Sequence, residues 1–357
     1  MTTPLASAAC PAPVTASSPA SSPAPSPAPR AAGFTRLPRL ALAWALVSAL
    51  GIAAPGAQAF DLQGHRGARG LAPENTLAAF KRALEIGVHT LELDTGITSD
   101  GVVVVMHDSK LNPNLTRDAE GRWLVAPTAA LNTLAFDALR RYDVGRLQPG
   151  TRYAQGLAEQ QASDGERIPS LAQLFEMVRA RSDTQVRFNI ETKLDPREPG
   201  LTAEPEAFVV ALLEVVRRHG MQERVSLQSF DWRTLRAAQK LAPAIPRVAL
   251  SARQSWLDNI ADPRWTAGLT LAEHGGSLPR LVKAAGAQIW SPFHGELSAE
   301  DLAEAHALGL TVVAWTVNEP AQIERMLELG VDGIISDYPD RVRRAMQARG
   351  LALPGAR

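Results

Sequence analysis

Short apolar runs of strand length alternate along this chain with longer stretches whose apolar residues recur every three or four positions. The strand-like runs are Asp61–His65, His89–Asp94, Val186–Glu191, Arg224–Ser229, Pro246–Leu250, Ala287–Ser291, Thr311–Thr316 and Gly333–Ser336. Helical stretches fall between most of them: Asn75–Ile86, Ser170–Arg181, Glu206–His219, Trp232–Leu241, Ala299–Leu308 and Ala321–Leu329. In the first of these, Leu77, Phe80 and Leu84 form one stripe, and Pro73 and Asn75 are suitable entry residues. Eight β–α units over about 280 residues predict an α/β protein, a closed (β/α)8 TIM barrel, with an open doubly wound sheet as the alternative. Residues 252–286 show no clear period. Residues 109–168 break the alternation and are rich in Asn, Asp, Gly, Arg and Gln. They predict a small subdomain inserted after the second-strand hairpin, over the barrel mouth.

Two of the strands alternate apolar and charged positions. In Val88–Thr95, Leu91 and Leu93 occupy one face while Glu92 and Asp94 share the other. In a barrel the leucines would face the helices and the acids the mouth. Two like charges among apolar neighbours are costly unless a cation joins them, and a hard divalent cation with oxygen ligands is the natural partner. A solvent-facing acidic stripe on an edge strand is the other reading. Val186–Lys193 repeats the pattern, so Glu191 can complete a three-carboxylate site and Lys193 adds a positive charge for a phosphate.

The second strand runs on to Asp100-Gly101, a hairpin signal, and a two-residue turn there would set Asp94 opposite His107, while a bulge would shift that pairing by one residue. His65 ends the first strand, at the rim where barrel active sites are built. Arg66 beside it can hold a phosphate oxygen, within glycines that permit tight turns. Trp315, on the seventh strand, offers a flat apolar wall at the mouth, or simply core packing. Taken together, two histidines, the carboxylates and Arg66 suit metal-assisted attack on a phosphate ester. No Cys/His zinc spacing, Gly-x-Ser-x-Gly turn or Walker loop is present.

Composition narrows the setting. The chain has 357 residues, 45% of them hydrophobic, with 37 basic and 37 acidic side chains. That balance gives no reason to expect nucleic acid or an acidic membrane surface as partner, so anion binding must come from a local cluster. Residues 11–32 are almost wholly Pro, Ala and Ser, a composition that predicts disorder. Arg36 and Arg39, the apolar run Leu40–Ala54 and Ala57-Gln58-Ala59 follow, in the layout of a secretory signal. The run is short for a membrane span of about 20 residues, though an uncleaved anchor is the alternative. Residues 1–59 are therefore expected to be removed, leaving a barrel domain over 60–345. The one cysteine, Cys10, lies in the removable part, which suits an oxidising compartment.

The motifs in order are His65-Arg66-Gly67, Pro73-Glu74-Asn75-Thr76, Glu92-x-Asp94, Asp100-Gly101, His107-Asp108, Asn189-Ile190-Glu191-Thr192-Lys193, Ser229-Phe230, Trp315-Thr316-Val317-Asn318, and Gly330-Val331-Asp332-Gly333 leading to Ser336-Asp337-Tyr338-Pro339. This series resembles the glycerophosphodiester phosphodiesterase family, bacterial periplasmic type. The resemblance implies a barrel with an inserted subdomain and a divalent cation, Ca2+ or Mg2+, held at Glu92, Asp94 and Glu191. It implies His65 and His107 as the acid–base pair, with Arg66 and Lys193 on the phosphate. The implied activity is metal-dependent hydrolysis of a small-molecule glycerophosphodiester to glycerol 3-phosphate and an alcohol. The expected location is periplasmic or secreted, with no stable membrane insertion after signal cleavage; oligomeric state is left open. Ser336 and Thr192 depart mildly from the family pattern, at positions that bear no charge. A phospholipase C- or D-like phosphodiesterase on the same barrel is an alternative, and so is a non-catalytic periplasmic phosphodiester-binding protein. No residue read from the sequence addresses the leaving alcohol, so broad headgroup tolerance is expected.

Overall fold

The computed structural model describes residues 60–356; the segment 1–59, read as an export signal, lies outside the described residues. Eight parallel strands form the barrel: β1 Asp61–Gly64, β2 Thr90–Ile97, β3 Arg187–Thr192, β4 Val225–Ser229, β5 Arg247–Ser251, β6 Ile289–Pro292, β7 Thr311–Ala314 and β8 Gly333–Ser336. Each pairs with the next, and β8 pairs with β1 with Asp61 opposite Gly333, so the sheet closes. The outer ring is α1 Leu77–Ile86, α2 Leu171–Ala180, α3 Pro205–Arg218, α4 Trp232–Leu241, α5 Leu278–Ala284, α6 Ala299–Ala307, α7 Pro320–Leu329 and α8 Pro339–Ala348. The architecture is a (β/α)8 barrel. No helix among the described residues is long and apolar enough to cross a membrane.

Strand alternation sorts side chains into two shells. Leu91, Leu93, Phe188 and Ile190 pack outward with Phe80, Leu84, Phe175 and Val178 of the helices, all buried. Each such side chain contributes about 1.5–3 kcal/mol by leaving water. The alternate positions point into the barrel, where polar groups must find partners. Asn189 Nδ2 donates to Gln63 Oε1 at 3.0 Å and to Gln228 Oε1 at 2.9 Å, and Asn189 Oδ1 accepts from Ser226 Oγ at 2.9 Å. This satisfied polar layer lies beneath the rim carboxylates.

Two local expectations need correction. The first helix begins at Leu77 rather than Asn75, because Asn75 sits in the left-handed region at φ 57° and Thr76 is the N-cap, accepting from Ala79 N at 3.2 Å. The hairpin after β2 has a three-residue loop, with Thr98 N donating to Val102 O and Gly101 at φ 79°. The register therefore pairs Thr95 with Val105, and Met106 N reaches Asp94 O at 3.0 Å, so Asp94 is not opposite His107. Asp-Gly serves either loop length, which is why the sequence left one residue of slack.

Between this hairpin and α2 the chain forms a 3-10 turn at Leu131–Thr133 and single helical turns at Phe136–Leu139 and Arg152–Gln155. The segment has its own small apolar cluster, including Leu111, Leu131, Leu139, Val144 and Ile168. Its later part is fastened to the loop after β1: Gln161 N donates to Leu71 O at 3.0 Å and Gln160 Nε2 to Arg69 O at 2.8 Å.

Candidate active site

The site grows from the loop after β1. His65 N donates to Ser336 O at 2.9 Å, which ties the loop to the last strand. Arg66 (φ 50°) and Gly67 (φ 87°) then turn the chain in left-handed conformations. A Cβ on Gly67 would lie 2.6 Å from the Ala79 backbone, so only glycine lets the loop pack on α1. The next block, Pro73-Glu74-Asn75-Thr76, fixes this loop against the rest of the site. Glu74 accepts from Arg66 Nη1 at 2.6 Å and lies 3.2 Å from Arg69 Nε, and Tyr153 OH donates to it from the inserted segment. Asn75 Nδ2 donates to Asp94 Oδ2 at 2.9 Å. Glu74 and Tyr153 carried no assignment in the sequence reading.

Strand register sets the carboxylates. In the parallel β2–β3 pair Asp94 is partnered with Glu191, and Glu92 precedes Asp94 by two residues, so all three share the inner face. Their ligating oxygens lie within 4.8 Å of one another, and all three residues are buried. Glu92 accepts from Arg66 N at 2.9 Å and from Gln228 Nε2 at 2.5 Å. Arg66 Nε lies 3.1 Å from Asp94, while Lys193 Nζ lies 2.9 Å from Glu191 and 3.7 Å from Asp94. Burial and the neighbouring Asp94 push the Glu92 carboxyl well above its usual range. Burial likewise pushes Glu191 up to about 7 against the pull of Lys193. Asp94 goes the other way: burial alone would raise it, but Arg66, His107 and Lys193 outweigh that. A buried cluster of three oxygen donors short of positive charge fits a hard divalent cation.

Both histidines line the same cavity, of about 470 Å³, together with Arg66, Glu92, Glu191 and Lys193. His65 Nδ1 is 2.5 Å from Asp337 Oδ1, and its Nε2 is 4.0 Å from Glu92. Asp337 in turn accepts from Asn318 Nδ2 at 2.8 Å. His107 Nδ1 is 2.6 Å from Asp108 Oδ1, and Asn112 Nδ2 donates to the other oxygen of Asp108 at 2.7 Å. The hairpin strand ends at Val105, so strict alternation no longer governs His107. An ionised carboxylate only accepts, so each histidine carries a proton on Nδ1, and in its neutral form Nε2 is the unprotonated nitrogen. Burial, with Arg66 and Lys193 nearby, pulls His107 down to about 4. Burial also lowers His65, against Asp337. Asp108, Asn318 and Asp337 stood in quoted motifs, but their partnership with the histidines was not read.

Trp315 follows β7 and donates from Nε1 to Ser291 O at 2.9 Å. It lines the cavity and packs edge-on against Phe230 at 5.2 Å. The cavity thus joins a charged half, around the carboxylates and histidines, to an aromatic half.

The sequence pattern that defines the Glycerophosphoryl diester phosphodiesterase family matches residues 65–341. The chain belongs to this family. As a member of the glycerophosphoryl diester phosphodiesterases it is a phosphoric diester hydrolase. It is similar to a glycerophosphodiester phosphodiesterase of Caldanaerobacter subterraneus subsp. tengcongensis, 28% identical over 286 residues, 80% of this chain and 97% of the relative. A solved structure of a Silicibacter pomeroyi protein that carries the family's name is 37% identical, with a TM-score of 0.74 over 83% of this chain and 95% of that one. An Oleispira antarctica phosphodiesterase, solved in complex with the product sn-glycerol-3-phosphate, shares the fold at 22% identity and a TM-score of 0.59, over 80% of this chain and 96% of that one.

Proposed function

We propose that this phosphodiesterase hydrolyses glycerophosphodiesters to glycerol 3-phosphate and an alcohol, with a divalent cation at Glu92, Asp94 and Glu191. The observation that carries this reading is the buried carboxylate triad facing two histidines, each with its own carboxylate on Nδ1. The product bound to the Oleispira antarctica fold relative supports the choice of glycerol 3-phosphate. The cation, Ca2+ or Mg2+, supplies positive charge to the phosphate oxygens. Arg66 and Lys193 line the cavity and add to that field. One histidine, neutral at the start, takes a proton at Nε2 from the attacking hydroxyl; the other enters as the imidazolium and gives its Nε2 proton to the leaving alcohol, and exchange with solvent resets both before the next turnover. Asp337 and Asp108 orient the rings and stabilise whichever imidazolium forms. We further propose that residues 1–59 direct export to the periplasm or beyond.

Purified protein should release glycerol 3-phosphate from glycerophosphocholine, lose that activity to a chelator, and regain it with Ca2+ or Mg2+. Full activity after exhaustive chelation would remove the metal from the reading. No release from any glycerophosphodiester would remove the reading itself.

A further inference from the structure

The aromatic half of the cavity is built partly by a segment whose sequence shows no clear period. A hairpin of two two-residue strands, Arg253–Gln254 and Leu257–Asp258, carries Trp256 at its turn. Glu296 Oε1 holds the hairpin down, accepting from Arg253 N at 2.8 Å and Gln254 Nε2 at 2.5 Å. The Trp256 ring stands 6.0 Å from Trp315 at 81°, and Phe293 lies 5.7 Å from each of them. Trp256 lines the cavity yet is 56% exposed, and it is the only exposed aromatic residue among the described residues. An indole left in water forgoes the free energy of burial, so its position at the cavity invites a partner from the ligand side.

The neighbouring rings indicate what that partner is. Lys193 Nζ sits 5.7 Å over Phe230, and the Arg197 guanidinium sits 5.3 Å over Trp265. Both rings line the same cavity, and both already hold a cation. Among the described residues no side-chain cation lies over Trp256 or Trp315. Lys193 also joins the two halves of the cavity, since it contacts Glu191 at 2.9 Å. A leaving alcohol therefore passes from the charged half onto open aromatic faces. Two further carboxylates of the cavity lining, Asp195 and Glu198, are paired with Arg197 and Lys110, so the hydroxyls of a polyhydroxylated alcohol or the N–H groups of a primary ammonium would have to compete for acceptors beside the rings. A quaternary ammonium carries charge without N–H donors and loses least on reaching aromatic faces.

We propose that the Trp256–Trp315 corner seats a quaternary ammonium headgroup, making choline-class glycerophosphodiesters the preferred substrates. This rests on the functional reading above, which puts the phosphate at the carboxylate triad. It replaces the broad tolerance expected from sequence, where Trp256 could not be placed.

The test compares kcat/KM for glycerophosphocholine and for its neutral carbon isostere, the 3,3-dimethylbutyl diester, which has the same shape and no charge. Wild type should favour the choline ester by about tenfold, the scale of a cation over partly desolvated rings. Trp256→Ala should collapse that ratio towards one, and Trp256→Phe should keep part of it. The ratio is the readout, so general damage to the enzyme cancels. Equal values in wild type, or an unchanged ratio in Trp256→Ala, would overturn the proposal. If neither diester turns over, the functional reading fails separately, and calorimetric titration with the same two ligands decides: choline selectivity that is lost in Trp256→Ala upholds the corner, and equal binding overturns it.

Discussion

His65 and His107 obey one rule: a carboxylate takes Nδ1 and leaves Nε2 for the cavity. Replacing either by alanine should lower kcat by about 10²-fold or more, the scale of acid–base catalysis. Near-normal turnover in steady-state kinetics would strip that residue of its role. Asp337→Asn tests the orienting carboxylate, because an amide can donate to Nδ1 and favour the wrong tautomer. It also has a signature in stability. Burial alone would raise the Asp337 carboxyl, but His65, Arg69 and Asn318 outweigh it and hold it below the usual range. A carboxyl depressed in the folded state contributes stability above its unfolded value of about 3.9, and that contribution is lost as pH falls towards the lower folded value. The Tm of Asp337→Asn should therefore fall less than that of wild type between about pH 5 and pH 2. Parallel falls in a calorimetric pH series would contradict this. At this scale Glu92, Asp94 and Glu191 were legible because they sit on alternating strands, and His65 and Arg66 because they stand beside a glycine turn, whereas His107, beyond the end of its strand, was reached only through the hairpin signal. The histidines' partners were not legible, since His65 and Asp337 are 272 residues apart and no local pattern joins them.

Among the elements, the eight strands and six of the eight outer helices were read; α8, Pro339–Ala348, was not, although Val342 and Met346 lie one turn apart on its buried face. Leu91 and Leu93 against Glu92 and Asp94 announce β2 and its two faces. The two-residue strands around Trp256 are too short to show any alternation, and α5, at Leu278–Ala284, offers only seven residues to a helical pattern. The inserted segment was recognisable as a break in the alternation, but not its hold on the site. Tyr153, in the Arg152–Gln155 turn, donates to Glu74, and its ring lies 5.3 Å from the Arg69 guanidinium. A hydrogen bond to a charged group contributes about 1.5–3 kcal/mol. Tyr153→Phe keeps the ring and removes the bond, so the Arg66–Glu74 contact should loosen and kcat/KM should drop by about tenfold. Kinetics within twofold of wild type would show that the insertion touches the site without supporting it.

For the whole molecule, eight repeating units were enough to predict closure, because a parallel sheet covered by helices on one side has few other ways to bury its edges. Export is a separate matter, carried by the composition of residues 1–59 alone. Mass spectrometry of the protein recovered from an expressing cell envelope should give a mature start at Phe60; full-length chain confined to the cytosol would refute the signal. The seam of the barrel adds a consequence for biogenesis. Strand β1 pairs with β8, and only there does His65 meet Asp337. A ribosome-bound chain therefore carries its first histidine long before the carboxylate that orients it. Until the final strand docks, the polypeptide holds most of the chemistry without the arrangement that makes it competent. Onset of hydrolysis during refolding would thus time the docking of that final strand.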